Sequence, residues 1–171
     1  MTSSSQELRN RLEALLCSWR QEGAPSSSQF QNIFQKIIDW RKDSDVPGLW
    51  TTPPLMVTAT LDDGWGSGLQ IIHACAEAAG VQVNALGLLQ PAERIIAHCR
   101  VCSPDLLGLT VLQFDSEPLL RSIRDNLPAG TRLIAGGPVF RIDPELASRT
   151  GVDYVAKNAA GFLEFLLSFS T

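Results

Sequence analysis

LMVTATLDDGWGSG, residues 55–68, decides the fold. A run of β-branched and apolar residues breaks at Asp62 and Asp63 into three glycines, at 64, 66 and 68, and an amphipathic pattern resumes at Leu69. A strand, a tight loop and a helix start in this order place the loop at the carboxyl edge of a sheet, where open α/β folds bind ligands. Glycines leave the backbone bare, so a flat or phosphorylated ligand has room to approach closely. Trp65 stands alone as a large side chain among them.

Downstream, the pattern repeats. A helix over 68–79 ends at Gly80, and Val81–Leu88 reads as a second strand. Pro91 opens the helical stretch PAERIIAHCRVC. LLGLTVL at 106–112 is the third strand, followed by a helix from Glu117 to Leu127; TRLIAGGP at 131–138 is the fourth. A short helix at 144–150, the strand DYVAK and a helix over 159–168 close the chain. Near-continuous apolar strands joined through helices call for a parallel sheet covered on both faces. The expected fold is a flavodoxin-like (Rossmann-like) α/β domain, a five-stranded parallel sheet of order 2-1-3-4-5. That order gathers the loops after strands one, three and four at one edge.

Upstream, Leu8, Leu12, Leu15, Leu16 and Trp19 share one helical face over 4–22, with Ser4 and Glu7 spaced for a capping box. A second helix is expected over 28–42, with Phe30, Ile33, Phe34, Ile37 and Ile38 on one side. Two short helices cannot enclose a core, so their stripes must face the following domain or a second copy of the chain, which makes a homodimer through this hairpin one expectation. Another is a lid that brings Trp40 or Trp50 to the ligand. The chain thus divides into a helical hairpin (1–44), a Pro- and Gly-bearing linker (45–54) and an α/β domain (55–171).

Composition excludes several classes. The 171 residues are 44% hydrophobic and 19% charged, as in ordinary globular proteins. The net charge of −4 offers no basic field for a phosphate backbone, so no direct nucleic-acid partner is expected. No apolar run is long enough to span a membrane, and the start lacks the regions of a signal peptide, which makes a cytoplasmic location the expectation. Four cysteines, at 17, 75, 99 and 102, do not resemble a secreted disulfide framework.

The glycine loop fails as a dinucleotide fingerprint, which needs glycine at 64, 66 and 69, because position 69 is leucine. A flavin mononucleotide loop would want several hydroxyls after strand one, and Ser67 is alone there. Residues 55–167 instead resemble a cobalamin-binding domain. That family carries Asp-x-His-x-x-Gly after the first strand, Ser-x-Leu or Thr-x-Leu at the third and Gly-Gly at the fourth. This chain has Asp63-Gly64-Trp65-Gly66-Ser67-Gly68, then Thr110-Val111-Leu112, then Gly136-Gly137.

The resemblance implies that these residues, with Pro138 and Val139, bind cobalamin. Thr110 and Leu112 would border the nucleotide tail, and Gly136 and Gly137 would leave the groove open for it. It also implies a role as corrinoid carrier or accessory domain for a methyltransferase or a radical enzyme, and not a complete enzyme by itself. No residue is assigned a catalytic role.

The departure is at residue 65. The family's histidine ligates cobalt there, whereas the indole of Trp65 offers only an N–H donor, so no protein metal ligand is assigned. Three readings stay open: Trp65 as a flat face beneath a corrin, haem or cobalamin sensing as in related domains of photosynthetic regulators, or a cofactor-free interaction module. Asp63, without its imidazole partner, either binds in the loop, caps the next helix or faces solvent. His73 and His98 read as helix-surface residues. The Cys99-x-x-Cys102 pair closes a helix, where the dipole disfavours a thiolate, and reads as packing.

Overall fold

The structure, a computed structural model, describes residues 3–62 and 67–170. It contains eight α-helices among the described residues: α1 (Ser3–Glu22), α2 (Ser27–Asp43), α3 (Ser67–Ala79), α4 (Ala92–Cys102), α5 (Glu117–Asn126), α6 (Val139–Ile142), α7 (Leu146–Thr150) and α8 (Ala159–Ser168). The five strands are β1 (Leu55–Thr60), β2 (Gln82–Gly87), β3 (Leu106–Thr110), β4 (Arg132–Gly136) and β5 (Tyr154–Val155). They form one sheet of order β2-β1-β3-β4-β5, as the sequence predicts. The pairs β1/β3, β3/β4 and β4/β5 are parallel.

The chain groups into two compact units. One comprises Met1–Pro54, Ser67–Gln82 and Asn158–Thr171; the other comprises Leu55–Gly66 and Val83–Lys157.

In the first unit the amphipathic stripes are spent inside the chain. Leu8, Leu12, Leu16 and Trp19 of α1 are buried, as are Phe30, Phe34, Ile37 and Ile38 of α2. The Trp19 ring meets Phe30 edge-on at 5.0 Å, and Phe34 at 6.0 Å. Helix α2 packs on α3, while α1 and α3 pack on α8. The capping box forms at α2, where Gln29 Oε1 accepts from the Ser26 backbone N–H at 2.8 Å. Helix α1 already includes Ser4, and Glu7 pairs with Arg11 at 2.7 Å.

Residues 45–54 are pinned and not a free tether. Val46, Leu49 and Trp50 are buried, and Leu49 N–H donates to the carbonyl of Ala79 at 2.9 Å. The Arg41 guanidinium donates to the carbonyls of Glu77, Val46 and Pro47, closing the end of α3 against this segment. Burial lowers the pKa of Arg41 despite the nearby Glu77. Gly48 and Gly80 meet backbone to backbone: a Cβ on Gly48 would lie 2.7 Å from the Gly80 Cα, and both have positive φ. Trp50 donates its indole N–H to the Phe169 carbonyl at 3.1 Å, and Trp40 lies under the Arg11 guanidinium at 4.1 Å. Both tryptophans considered for a lid are therefore engaged within this unit.

In the second unit the odd-numbered strand positions build the core. Val57 and Ala59 of β1, Leu107 and Leu109 of β3, and Leu133 and Ala135 of β4 pack with Ile95 and Cys99 of α4 and Leu120 and Ile123 of α5. The even positions Met56, Thr58, Leu106, Gly108 and Ile134 are buried as well. Strands buried on both sides explain the continuous apolar runs in the sequence. Aspartates stitch the strand starts: Asp105 Oδ2 accepts from Leu55 N–H at 2.8 Å, and Asp153 Oδ2 from Leu133 N–H at 2.7 Å.

The fourth apolar run is shorter than the sequence predicts. After Gly136 the chain turns at Gly137 and Pro138 into α6, a four-residue helix. A 3-10 turn, Phe114–Ser116, likewise precedes α5.

Candidate functional site: the carboxyl edge of the sheet

The register sets three motif positions side by side. Thr60 pairs with Thr110, and Thr110 with Gly136, so the ends of β1, β3 and β4 form one row. The ladder runs one residue further, with Leu61 N–H donating to the Thr110 carbonyl at 3.4 Å and Val111 N–H to the Gly136 carbonyl at 2.9 Å. In parallel strands of matched length the loops must then emerge together.

The root of the first loop is tied on both sides. Thr60 Oγ1 donates to the Asp62 carbonyl at 2.8 Å and accepts from Leu89 N–H at 3.1 Å, while the Thr60 carbonyl accepts from Gln90 N–H at 2.8 Å. Asp62 is buried, and its carboxylate accepts from the N–H groups of Leu112 at 2.6 Å and Gln113 at 3.4 Å, and from Ser116 Oγ at 3.4 Å. A carboxylate satisfied in this way locks the loop after β3 to the end of β1.

Sequence reasoning missed Thr60, Asp62 and Gln90. A carboxylate directly after an apolar strand was the available signal for Asp62, but the motif spacing directs attention to its neighbour Asp63. Asp63, Gly64, Trp65 and Gly66 lie outside the described residues, and of Ser67 only the helical backbone is described. Gly68 is exposed in the first turn of α3.

Thr110 and Leu112 are half-buried at the end of β3. Gly136 and Gly137 are partly exposed, Pro138 is exposed, and Val139 is fully buried in the core. Gly137 has a φ of +131°, and a Cβ there would collide with the Val111 carbonyl. This close approach is a backbone reason for the glycine, independent of any groove. At Gly136 a Cβ would lie 3.1 Å from the Ala156 carbonyl oxygen.

The helices behind these loops are fixed by charge. Arg149 of α7 binds Glu117 at 2.9 Å and Asp143 at 2.6 Å, and these hydrogen bonds hold both carboxyls below their ordinary range. Leu88 and Leu89 after β2, Phe114 after β3 and Ile142 in α6 are exposed on this side of the unit. Gln90 Oε1 is buried and has no hydrogen-bond partner among the described residues.

The remaining candidate groups lie elsewhere. His98 is half-buried and hydrogen-bonded to Asn84 at 3.0 Å. His73 is likewise half-buried and not the fully solvated residue that the helical pattern predicts, and burial lowers its pKa. Burial, with a smaller effect from Cys102, pushes the Cys99 thiol up to about 12, so it holds its proton at neutral pH. Cys75 is fully buried, and Cys17 is exposed on α1. Among the described residues no group of three or more His, Cys, Asp or Glu is placed to hold a metal ion.

A family model described as the B12 binding domain matches residues 55–164, more than half of the chain. The chain belongs to the B12-binding domain family. No curated protein matches the sequence. Among solved structures, this family member is similar to a cobalamin-binding protein from Desulfitobacterium hafniense DCB-2 (TM-score 0.59, 18% identity, 99% of this chain and 98% of that one). It is also similar to the monomethylamine corrinoid protein of Methanosarcina barkeri (0.60, 16%, 94% and 79%). A third is a chain of the methanol:cobalamin methyltransferase complex MtaBC from the same organism (0.67, 17%, 98% and 67%). At these identities the likeness is one of fold. The family match and these folds agree with the flavodoxin-like architecture expected from the sequence.

Proposed function

We propose that this B12-binding domain holds a corrinoid at the carboxyl edge of its sheet, without a histidine ligand from residue 65, and serves as a carrier or accessory unit for a separate methyltransferase. The observation that carries the reading is the in-register row Thr60, Thr110 and Gly136 within the segment matched by the family model. Thr110, Leu112, Gly136, Gly137 and Pro138 would border the ligand from the ends of β3 and β4, and residues 63–68 from the end of β1. A bound corrinoid supplies a cobalt centre able to carry a methyl group.

The chain's own contribution is to bind and orient. Asp62 and Thr60 hold the loop root, and Trp65 offers an apolar face with an N–H donor where the family has an imidazole. The partner class follows from relatives that are corrinoid proteins or parts of a cobalamin methyltransferase complex. A radical enzyme as partner and haem as ligand have no comparable observation in their favour.

Trp65→His tests the placement of the loop. It should create the missing axial donor and move the absorption of bound cobalamin toward the base-off, histidine-ligated form. A variant that still binds cobalamin with an unchanged spectrum would show that residue 65 does not lie beneath the cobalt.

A further inference from the structure

The β1/β3 ladder does not end as a parallel ladder would. With Thr60 opposite Thr110, Leu61 N–H donates to the Thr110 carbonyl, and the next rung of the pattern would carry Leu112 N–H to the Leu61 carbonyl. Leu112 N–H goes instead to Asp62 Oδ2 at 2.6 Å, and Gln113 N–H reaches the same oxygen at 3.4 Å. A side chain stands where backbone would have met backbone. Strand β1 ends at Thr60 and β3 at Thr110, at the switch point of a sheet of order 2-1-3-4-5.

The residues before Leu112 are fixed by backbone. Val111 N–H donates to the Gly136 carbonyl at 2.9 Å, and the Val111 carbonyl lies so close to Gly137 that a Cβ there would collide with it. The tie from Asp62 is the one that a substitution can remove. Capping of the 3-10 turn accounts for the bonds from Gln113 and from Ser116 Oγ, the latter to Asp62 Oδ1 at 3.4 Å. It does not account for the carboxylate that replaces a rung of the ladder.

Resting on the corrinoid reading above, we propose that Asp62 is a positioning residue for the nucleotide tail: through Leu112 N–H its carboxylate sets the gap between the ends of β1 and β3, which a tailed corrinoid needs and a tail-less one does not. Leu112 borders the tail in that reading, and Asp62 acts on it without touching the ligand. Fixing this segment before the ligand arrives spares the cost of ordering it on binding. The chain therefore favours complete corrinoids over cobinamides.

The test titrates the full chain with cob(II)alamin and with cob(II)inamide, the same ring with and without the nucleotide. Asp62→Ala should weaken cob(II)alamin by about tenfold and leave cob(II)inamide within about twofold. Asp62→Asn keeps an acceptor for Leu112 N–H and gains an amide N–H to donate to Ser116 Oγ, so its cob(II)alamin affinity should stay near that of the parent. Asp62→Glu also keeps the acceptor, but its added methylene displaces Leu112, and it should show the selective loss even if the alanine variant does not fold. Equal losses for both ligands would reduce Asp62 to a structural cap and overturn the proposal, as would cob(II)alamin affinity that neither Ala nor Glu changes; both results leave the corrinoid reading in place. If the parent chain binds neither corrinoid, both proposals fall together.

Discussion

A side chain at Gly137 would collide with the carbonyl of Val111 and would have to adopt a φ of +131°, so this position tolerates only glycine. At Gly136 the added Cβ would meet the Ala156 carbonyl at 3.1 Å, a contact that a small shift relieves. Gly137→Ala should accordingly destabilise the fold by about 3 kcal/mol or more, and Gly136→Ala by roughly 1 kcal/mol, read from urea unfolding. Equal small effects would mean that β3 and β4 do not approach as closely as described. The Gly-Gly pair was legible in the sequence as a special backbone, but the cause was not, because Val111 lies 26 residues earlier. Asp62 shows the same limit. Two adjacent aspartates are equivalent in sequence, and the hydrogen bond from Leu112 N–H, 50 residues away, to Asp62 is not written in either.

At the scale of elements, periodicity revealed whatever was long enough to have a period. The buried faces of α1 and α2 are those the spacing predicts, apart from Leu15 and Ile33, which are only half-buried. The four residues of α6 and the three of the 3-10 turn are shorter than a repeat, so periodicity assigns them no element. Residues 45–54 read as a linker from their prolines and glycines, yet Arg41 fastens them to the last carbonyls of α3. Arg41→Ala removes a charged donor from several carbonyls at once and should cost about 2 to 3 kcal/mol. Lysine, a point charge without the planar fork, should restore less than half of that in the same unfolding assay. Full restoration by Arg41→Lys would mean that charge alone, and not the geometry of the guanidinium, closes this junction.

For the molecule as a whole, alternation of apolar strands and helices with short connections gave the parallel sheet, and the flavodoxin-like order, one of the few ways to wind it, drew also on the resemblance. The grouping of α3 and α8 with the amino-terminal helices did not follow, because it depends on which helix faces meet. The proposed ligand edge is legible as a place and only partly as a chemistry: the register brings Thr60, Thr110 and Gly136 together, while residue 65 is a tryptophan where the resemblance puts a histidine. The central claim is that this edge holds a corrinoid with no imidazole from that loop. The most direct test is an absorption titration with cob(II)alamin and with haem, following tryptophan fluorescence in the parent and in Trp65→Ala. The account predicts saturable cobalamin binding with a spectrum free of histidine ligation, no comparable haem binding, and quenching that is largely lost in the variant. Binding of haem in preference to cobalamin, or of neither, would contradict it.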